Sequence, residues 1–262
     1  MTNSILKKGV VLVDKPRGMT SFDVVEKVCE KLKVSKGGHT GTLDPNVTGL
    51  MIIALEEARK AMIVLMGMEK SYEGEMILHK DVELSKLENA FKKFTGEIIQ
   101  KPPVKSRVAR IERKRKVYEL RVIEKNERKI KFFVRCEAGT YIRKLVHDIG
   151  QYLGCGAHMS ELRRTKIGPF DVSEAKKLSE ISEKDVVTLE KILERIKLKK
   201  VIIRDEDVKK VRNGVPIPVK NLTEKSEINL NEIVGIYDKN QNIIALGKNV
   251  GEKIKIERVF LA

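Results

Sequence analysis

The stretch Gly37–Gly49, GGHTGTLDPNVTG, surrounds one carboxylate, Asp44, with four glycines, three threonines and a proline. An ionised aspartate can attack an electrophilic carbon or accept a proton, so a lone carboxylate in such a setting is a candidate for chemistry. Gly37, Gly38 and Gly41 open backbone geometries closed to other residues and let a ligand approach closely. Pro45 pushes Asp44 away from helical angles toward extended ones. Asp44 is therefore expected at a stiff point just past a flexible loop of small residues. At this level an ordinary Asp-Pro turn on the surface explains the stretch equally well.

The composition narrows the partners. The chain has 262 residues, 41% of them hydrophobic, enough for one large domain or a large one with a small one. Lys and Arg number 53 against 37 Asp and Glu, a net charge of +16 that favours phosphate polymers or anionic membranes. A lysine-rich composition of a whole proteome would give the same surplus. Cys29, Cys136 and Cys155 lie far apart, without a C-x-x-C pair, and the four histidines form no cluster. Neither a structural metal nor a disulfide framework is expected. No apolar run approaches the ~18 residues of a membrane span, and the N-terminus has no secretory core. The chain reads as cytoplasmic, without a membrane partner.

Periodicity places elements around Asp44. Val10–Val13 reads as a short strand. A helix follows, with Thr20 and Asp23 spaced as a capping box and Val24, Val25, Val28, Cys29 and Leu32 on one face. Leu50–Leu55 reads as a buried strand, Ala58–Met66 as a helix and Tyr72–Leu78 as a strand. Residues 84–94 are helical by period. Val117–Ile123 and Lys129–Cys136 alternate around Asn126 and read as a hairpin. A helix is expected from about Tyr141 to Leu153, and another over the charged residues 174–198. Beyond Leu198 the pattern predicts a strand, a helix over Asp205–Arg212, a turn at Asn213-Gly214 and further strands. The division is therefore 1–197 and 198–262, the second a small β-rich module. Between these elements Lys101–Lys116 carries eight basic residues and one acidic residue. Lys101, Lys105, Arg107, Arg110 and Arg113 in this strip are expected to contact phosphates, although a solvated charged face would look the same.

Five motifs add a resemblance. DKPRGMTS (14–21), GHTGTLDPNVTG (38–49), KSY (70–72), GTYIRKLVHDIG (139–150) and GAHMSELRRTKIGPF (156–170) are similar, in order, to the motif series of the TruB/dyskerin family of pseudouridine synthases. The resemblance implies an α+β fold: a catalytic domain with a mixed, largely antiparallel central sheet. The module from 198 resembles a PUA domain, an RNA-binding unit. In that family the aspartate matching Asp44 is the nucleophile. The residue matching Tyr72 stacks on the target base and can serve in proton removal at C5, and that matching Arg143 pairs with the aspartate. Thr140 is expected to cap the helix, placing Arg143 in its first turn, where the helix dipole disfavours a cation and a carboxylate partner compensates. By the same resemblance Tyr141 and Leu162 line the base pocket. Lys15 belongs to a substrate-site motif whose role is mainly to brace the active-site loop. His39 either helps hold the nucleotide out of its stack or hydrogen-bonds within the loop. No metal or organic cofactor is implied.

Local spellings point to one branch. PNVTG at 45–49, KPPVKS at 101–106 and CEAGT at 136–140 resemble the dyskerin branch, which acts with box H/ACA guide RNA and small partner proteins. The expected substrate is then rRNA or tRNA selected by a guide. The short stretch before Val10 and the short second module depart from that branch. A stand-alone synthase of the tRNA T-loop and a non-catalytic RNA-binding scaffold are the competing readings; intact Asp44, Tyr72 and Arg143 oppose the scaffold. If the basic surplus binds RNA, the logarithm of the association constant falls with the logarithm of salt at a slope of several units, as a filter-binding titration would show. A flat response would remove the basic strip from the interface.

Overall fold

The computed structural model describes residues 4–102, 109, 111–225 and 227–260. Lys105, Arg107 and Arg110 of the basic strip lie outside them. In chain order the elements begin with α1 (Ser4–Lys7), β1 (Gly9–Lys15), α2 (Ser21–Leu32), β2 (Gly37–His39) and β3 (Thr48–Leu55). After a 3-10 turn at Glu56–Ala61 come α3 (Met62–Leu65), β4 (Lys70–Leu78), α4 (Leu84–Lys93), β5 (Gly96–Gln100), β6 (Arg113–Asn126) and β7 (Lys129–Cys136). Then follow α5 (Ile142–Tyr152), β8 (Ala157–Ile167), β9 (Phe170–Asp171), β10 (Lys176–Lys177), β11 (Val187–Thr188) and α6 (Leu189–Arg195). The chain ends with β12 (Lys200–Ile203), α7 (Asp205–Arg212), β13 (Ile217–Pro218), β14 (Leu222–Lys225), β15 (Ile233–Tyr237), β16 (Ile243–Asn249) and β17 (Lys253–Val259).

Two sheets organise the described residues. The larger runs β10-β1-β3-β8-β4-β7-β6-β5, with short strands β2, β9 and β11 added on β3, β8 and β1. Only its β1–β10 and β3–β8 pairs are parallel, so the sheet is mixed and largely antiparallel. The smaller sheet runs β13-β17-β16-β15-β12-β14. Strand alternation sends Val11 and Val13 of β1 to one face of the large sheet and Val10 and Leu12 to the other. The first face is covered by α2, α4 and α5, through Val24, Leu87 and Leu145 among others. The second face packs on α6, on Tyr237, Ile243 and Leu246 of the smaller sheet and on Phe260 just after its last strand in the chain. The small module thus shares a hydrophobic core with the large one.

Local rules fix several boundaries. The Thr20 hydroxyl accepts the Asp23 N–H at 3.1 Å, and the Asp23 carboxylate accepts the Thr20 N–H at 2.8 Å, the capping box expected for α2. Three expectations change. Residues 58–66 form a 3-10 turn and a single α-turn. Residues 174–198 are helical only at α6 and in short 3-10 turns; β10 and β11 pair with β1 instead, which buries Leu178, Ile181 and Val186 at that edge. Edge pairing and the burial of these apolar side chains override the helix propensity of a segment rich in Glu, Lys and Leu. Tyr141, not Thr140, is the N-cap of α5, because the Thr140 hydroxyl donates to the Glu137 carbonyl at 2.8 Å.

The shared core gives a test. Leu246→Ala is expected to cost about 2–5 kcal/mol and to loosen amide protection in Val10–Leu12 of β1 as well as in β16. Exchange restricted to the small module would show that the two cores open separately.

Candidate active site

Asp44 opens a turn closed by the Val47 N–H on the Asp44 carbonyl at 3.0 Å, with Pro45 at the second position. The segment before it is less flexible than expected. Gly37–His39 is strand β2, paired to Ile53–Leu55 of β3. Its glycines serve close packing: a Cβ at Gly37 would lie 2.7 Å from Cys29 Sγ, and one at Gly38 2.7 Å from Met62 Sδ.

Four groups then pin the loop around Asp44. The Ser21 hydroxyl donates to the Leu43 carbonyl at 3.0 Å and accepts the Leu43 N–H at 2.8 Å. The Gly18 N–H donates to the Pro45 carbonyl at 2.8 Å. Lys15 is fully buried, and its ammonium donates to the Pro45 carbonyl at 3.0 Å and the Pro16 carbonyl at 2.9 Å. Its head is enclosed among these carbonyls, behind the turn. Arg164, also buried, donates to the Gly41 carbonyl at 3.1 Å and to the Leu50 carbonyl at 2.7 Å.

The Asp44 side chain is half exposed and ion-paired with the half-exposed Arg143. Such a pair contributes little to stability in water. Its consequence is orientation, since the guanidinium fixes the free carboxylate oxygens of Asp44. Arg143 stands in the first turn of α5, as expected. That helix start has no side-chain cap of its own. Gln100, buried at the end of β5, supplies one from a distance: its carbonyl oxygen accepts the Tyr141 N–H at 2.9 Å and its amide donates to the Tyr141 carbonyl at 3.2 Å. Tyr141 is half-buried at that junction.

Tyr72 and Leu162 lie inside. Tyr72 is opposite Arg164 in the β4–β8 register and Leu162 opposite Gly74. A side chain at Gly74 would meet Leu162 Cδ1 at 2.9 Å, so glycine there leaves room for it. Burial pushes the Tyr72 hydroxyl pKa up, while the adjacent Arg164 guanidinium, hydrogen-bonded to it, opposes the rise. His39 is held below its usual pKa by burial and by Arg164, so it is neutral at pH 7. Its Nδ1 accepts the Gly41 N–H at 3.3 Å, which leaves Nε2 as the protonated, donating nitrogen. Lys101 and Arg113 are exposed, just after β5 and at the start of β6, where Arg113 pairs with Gln100 in the register.

Arg164, Gln100 and Lys70 were not singled out by sequence reasoning. The buried Lys70 donates to the Met68 and Met66 carbonyls at 2.6 and 3.0 Å. Burial, with Arg164 nearby, pushes its pKa down to about 8. The LRR run at 162–164 was the available signal for Arg164, since strand alternation must send one of two adjacent arginines inward. Gln100 had no local signal. No group of histidine, cysteine and carboxylate side chains able to hold a metal occurs among the described residues, and no described helix is long and apolar enough to cross a membrane.

A half-exposed aspartate paired with an arginine beside a mixed sheet is a candidate for nucleophilic or general-base chemistry. Comparison with known proteins gives the chain its class. A family model for the TruB family pseudouridylate synthase N-terminal domain matches residues 29–84, and one for the tRNA pseudouridylate synthase B C-terminal domain matches residues 143–208. A probable tRNA pseudouridine synthase B of Methanocaldococcus jannaschii is 37% identical over 282 residues, covering 98% of this chain and 84% of its own. Its namesake in Pyrococcus furiosus is 38% identical, covering 97% and 82%. Among solved structures, a chain of a Cbf5-Nop10-Gar1 complex superposes with a TM-score of 0.88 at 38% identity, over 99% of this chain and 88% of that one. A chain of an H/ACA RNP bound to a substrate RNA containing 2'-deoxyuridine gives 0.85 at 37% identity, over 98% and 86%. The protein is an enzyme, a pseudouridine synthase. It belongs to the TruB family.

Lys70 yields a pH prediction. The folded chain releases this proton near pH 8 and the unfolded chain near the ordinary 10.5. Between those values the unfolded state binds more protons, so stability rises with pH across that window and is flat below it. The rise is of the order of 3 kcal/mol. The buried Cys136 thiol, pushed up to about 12, acts in the opposite sense at the upper end of this range. The expected readout is therefore the stability difference between wild type and Lys70→Met, which should change by this amount from pH 7 to 10.5 in denaturant melts; a constant difference would exclude Lys70 as a source.

Proposed function

We propose that this chain converts uridine to pseudouridine in RNA chosen by a box H/ACA guide, rRNA foremost, with Asp44 as the reactive carboxylate. The observation that carries the chemistry is the Asp44–Arg143 ion pair, held at the surface by a loop anchored from behind. The isomerisation breaks the N1–C1′ bond, turns the uracil and rejoins it to the ribose through C5. The C5 proton leaves and N1 gains one. The target nucleotide must leave its stack, which suits a half-exposed carboxylate within reach of solvent. Two routes start from this arrangement. Asp44 attacks C1′ and the bond electrons pass to the uracil, or Asp44 takes the C2′ proton and a glycal forms. Both need an ionised, oriented carboxylate, which Arg143 supports.

Other roles follow the same geometry. Tyr72, with Arg164 at its hydroxyl, would form the wall on which the base stacks and assist in removing the C5 proton. Leu162 and Tyr141 would border the base. The neutral His39 would offer Nε2–H to the displaced nucleotide. Lys101 and Arg113 would meet phosphates farther along the strand, together with the rest of the 101–116 strip. The residues from 198 would act as a PUA-like unit gripping the guide, with a domain boundary at 197/198. Small proteins of the H/ACA particle would be partners. The likeness to chains of assembled H/ACA particles over nearly the whole chain supports this branch.

A second reading has its own support: the relatives from methanogens and Pyrococcus furiosus carry the description tRNA pseudouridine synthase B. The purified chain is therefore to be assayed on tRNA and on an rRNA fragment, each with and without an H/ACA guide and the small partner proteins. Modification of rRNA only with guide and partners is expected. Efficient modification of bare tRNA at the T-loop would move the chain to the stand-alone reading. Asp44→Asn is expected to abolish product while leaving RNA affinity within severalfold. Turnover of that variant near the wild-type rate would remove Asp44 from the chemistry.

A further inference from the structure

A cleft of about 540 Å³ opens behind the Asp44 turn. Lys27 and Lys31, one helical turn apart on α2, line one side, and Lys177 of β10 lines the other. Arg163, Thr48 and Asp14 also line the cleft. Asp14 takes a bidentate pair from Arg163 at 2.7 and 3.0 Å, so the one carboxylate on the lining is already neutralised. Lys31 donates to the Ser179 carbonyl at 2.7 Å, which ties α2 to the opposite wall and aims its ammonium across the opening. The nearest acid to Lys177 is Glu180, at 3.9 Å and exposed, a weak pair. Asp23, close to Lys27, is engaged in capping α2.

The cleft is joined to the reactive turn through its buried wall. Lys15, which lines it, holds the Pro45 carbonyl, and Thr48 follows the turn that Asp44 opens. The two ends of such a turn lie within about 7 Å of each other. Arg163 and Arg164 alternate on β8, so Arg164 faces Tyr72 while Arg163 faces this cleft. The carboxylate and the ring of cations therefore stand at the same end of the sheet, on either side of one loop.

We propose that this cleft is a binding site for the phosphodiester backbone of the RNA strand next to the target nucleotide, with Lys27, Lys31 and Lys177 as the phosphate contacts. This rests on the reading of the chain as an RNA-modifying enzyme; the lining residues named here are other than Asp44 and the residues of the 101–116 strip. Clustered lysines around an open cleft supply point charges that can neutralise successive phosphates of a chain. An acidic protein segment is the other class such a surface could take. Its distance of one turn from the reactive carboxylate favours RNA.

The test starts from the RNA on which the wild type forms pseudouridine; absence of product on every RNA would defeat the functional reading, independently of the cleft. On that RNA, the triple variant Lys27→Gln, Lys31→Gln, Lys177→Gln is expected to bind at least tenfold more weakly at low salt. Its slope of log affinity against log salt is expected to be shallower by about two units. A charge-matched variant on α4, Lys86→Gln, Lys92→Gln, Lys93→Gln, is expected to change both far less. Synthetic RNA with single methylphosphonates flanking the target is expected to weaken wild-type binding severalfold at one or two positions. The cleft variant should show no such loss. Equal salt slopes for wild type and cleft variant would overturn the proposal, as would equal losses in the α4 control. Loss of binding to one of the small H/ACA proteins with RNA affinity intact would overturn it in favour of a protein interface.

Discussion

Arg164 is the constraint around which the site is arranged. It is a full charge buried in the sheet, and its bonds run to the carbonyls of Leu50 and Gly41 and to the Tyr72 hydroxyl. A buried charge is costly unless its hydrogen bonds are met. Here meeting them locks three segments at once: β3 beneath, the loop before Asp44 above, and β4 alongside. Gly49 shows how close the approach is. Its φ is +109°, and a Cβ there would lie 2.2 Å from the Arg164 carbonyl oxygen. The parallel join of β3 to β8 depends on that glycine.

The same charge sets the electrostatics around the site. With burial, it depresses the pKa of His39 and Lys70 and draws that of Lys15 down. The interior behind the loop is therefore positive. Lys15 and Lys70 are satisfied by carbonyl oxygens at 2.6 to 3.0 Å, which makes these cations braces. Asp44 stands outside this enclosure, on the far side of the loop, where Arg143 reaches it from a different helix. Division of labour follows: buried cations hold the backbone, and an exposed one orients the carboxylate.

The two cores explain why the small module matters to the site. The second face of the large sheet is closed by Leu246 and Phe260 and their neighbours. Together with α3, α6 and the turn at 56–61, that cover keeps Val10, Leu12, Leu50 and Ile52 from water. Those residues belong to β1 and β3, the strands that carry Lys15 and follow Asp44. The loop carrying Asp44 is thus supported from one side by α2 and α5 and from the other, through the sheet, by the C-terminal module.

Much was legible in the sequence because the signals were local. The Thr20–Asp23 capping box, the β6–β7 hairpin around Asn126, and Asp44 before Pro45 all depend on residues a few positions apart. Arg143 beside Asp44 was legible through family motifs that record a contact across some hundred residues. The sequence did not reveal that residues 174–198 would favour the β1 edge over a long helix. Nor did it show that Gln100 would cap α5, or that Lys15 would be enclosed. In each case the partner is far along the chain, and burial decides the outcome. Local patterns set which backbone shapes are available. Only the tertiary structure settles which charges lose their water and what must replace it, because desolvation is a property of the packed whole.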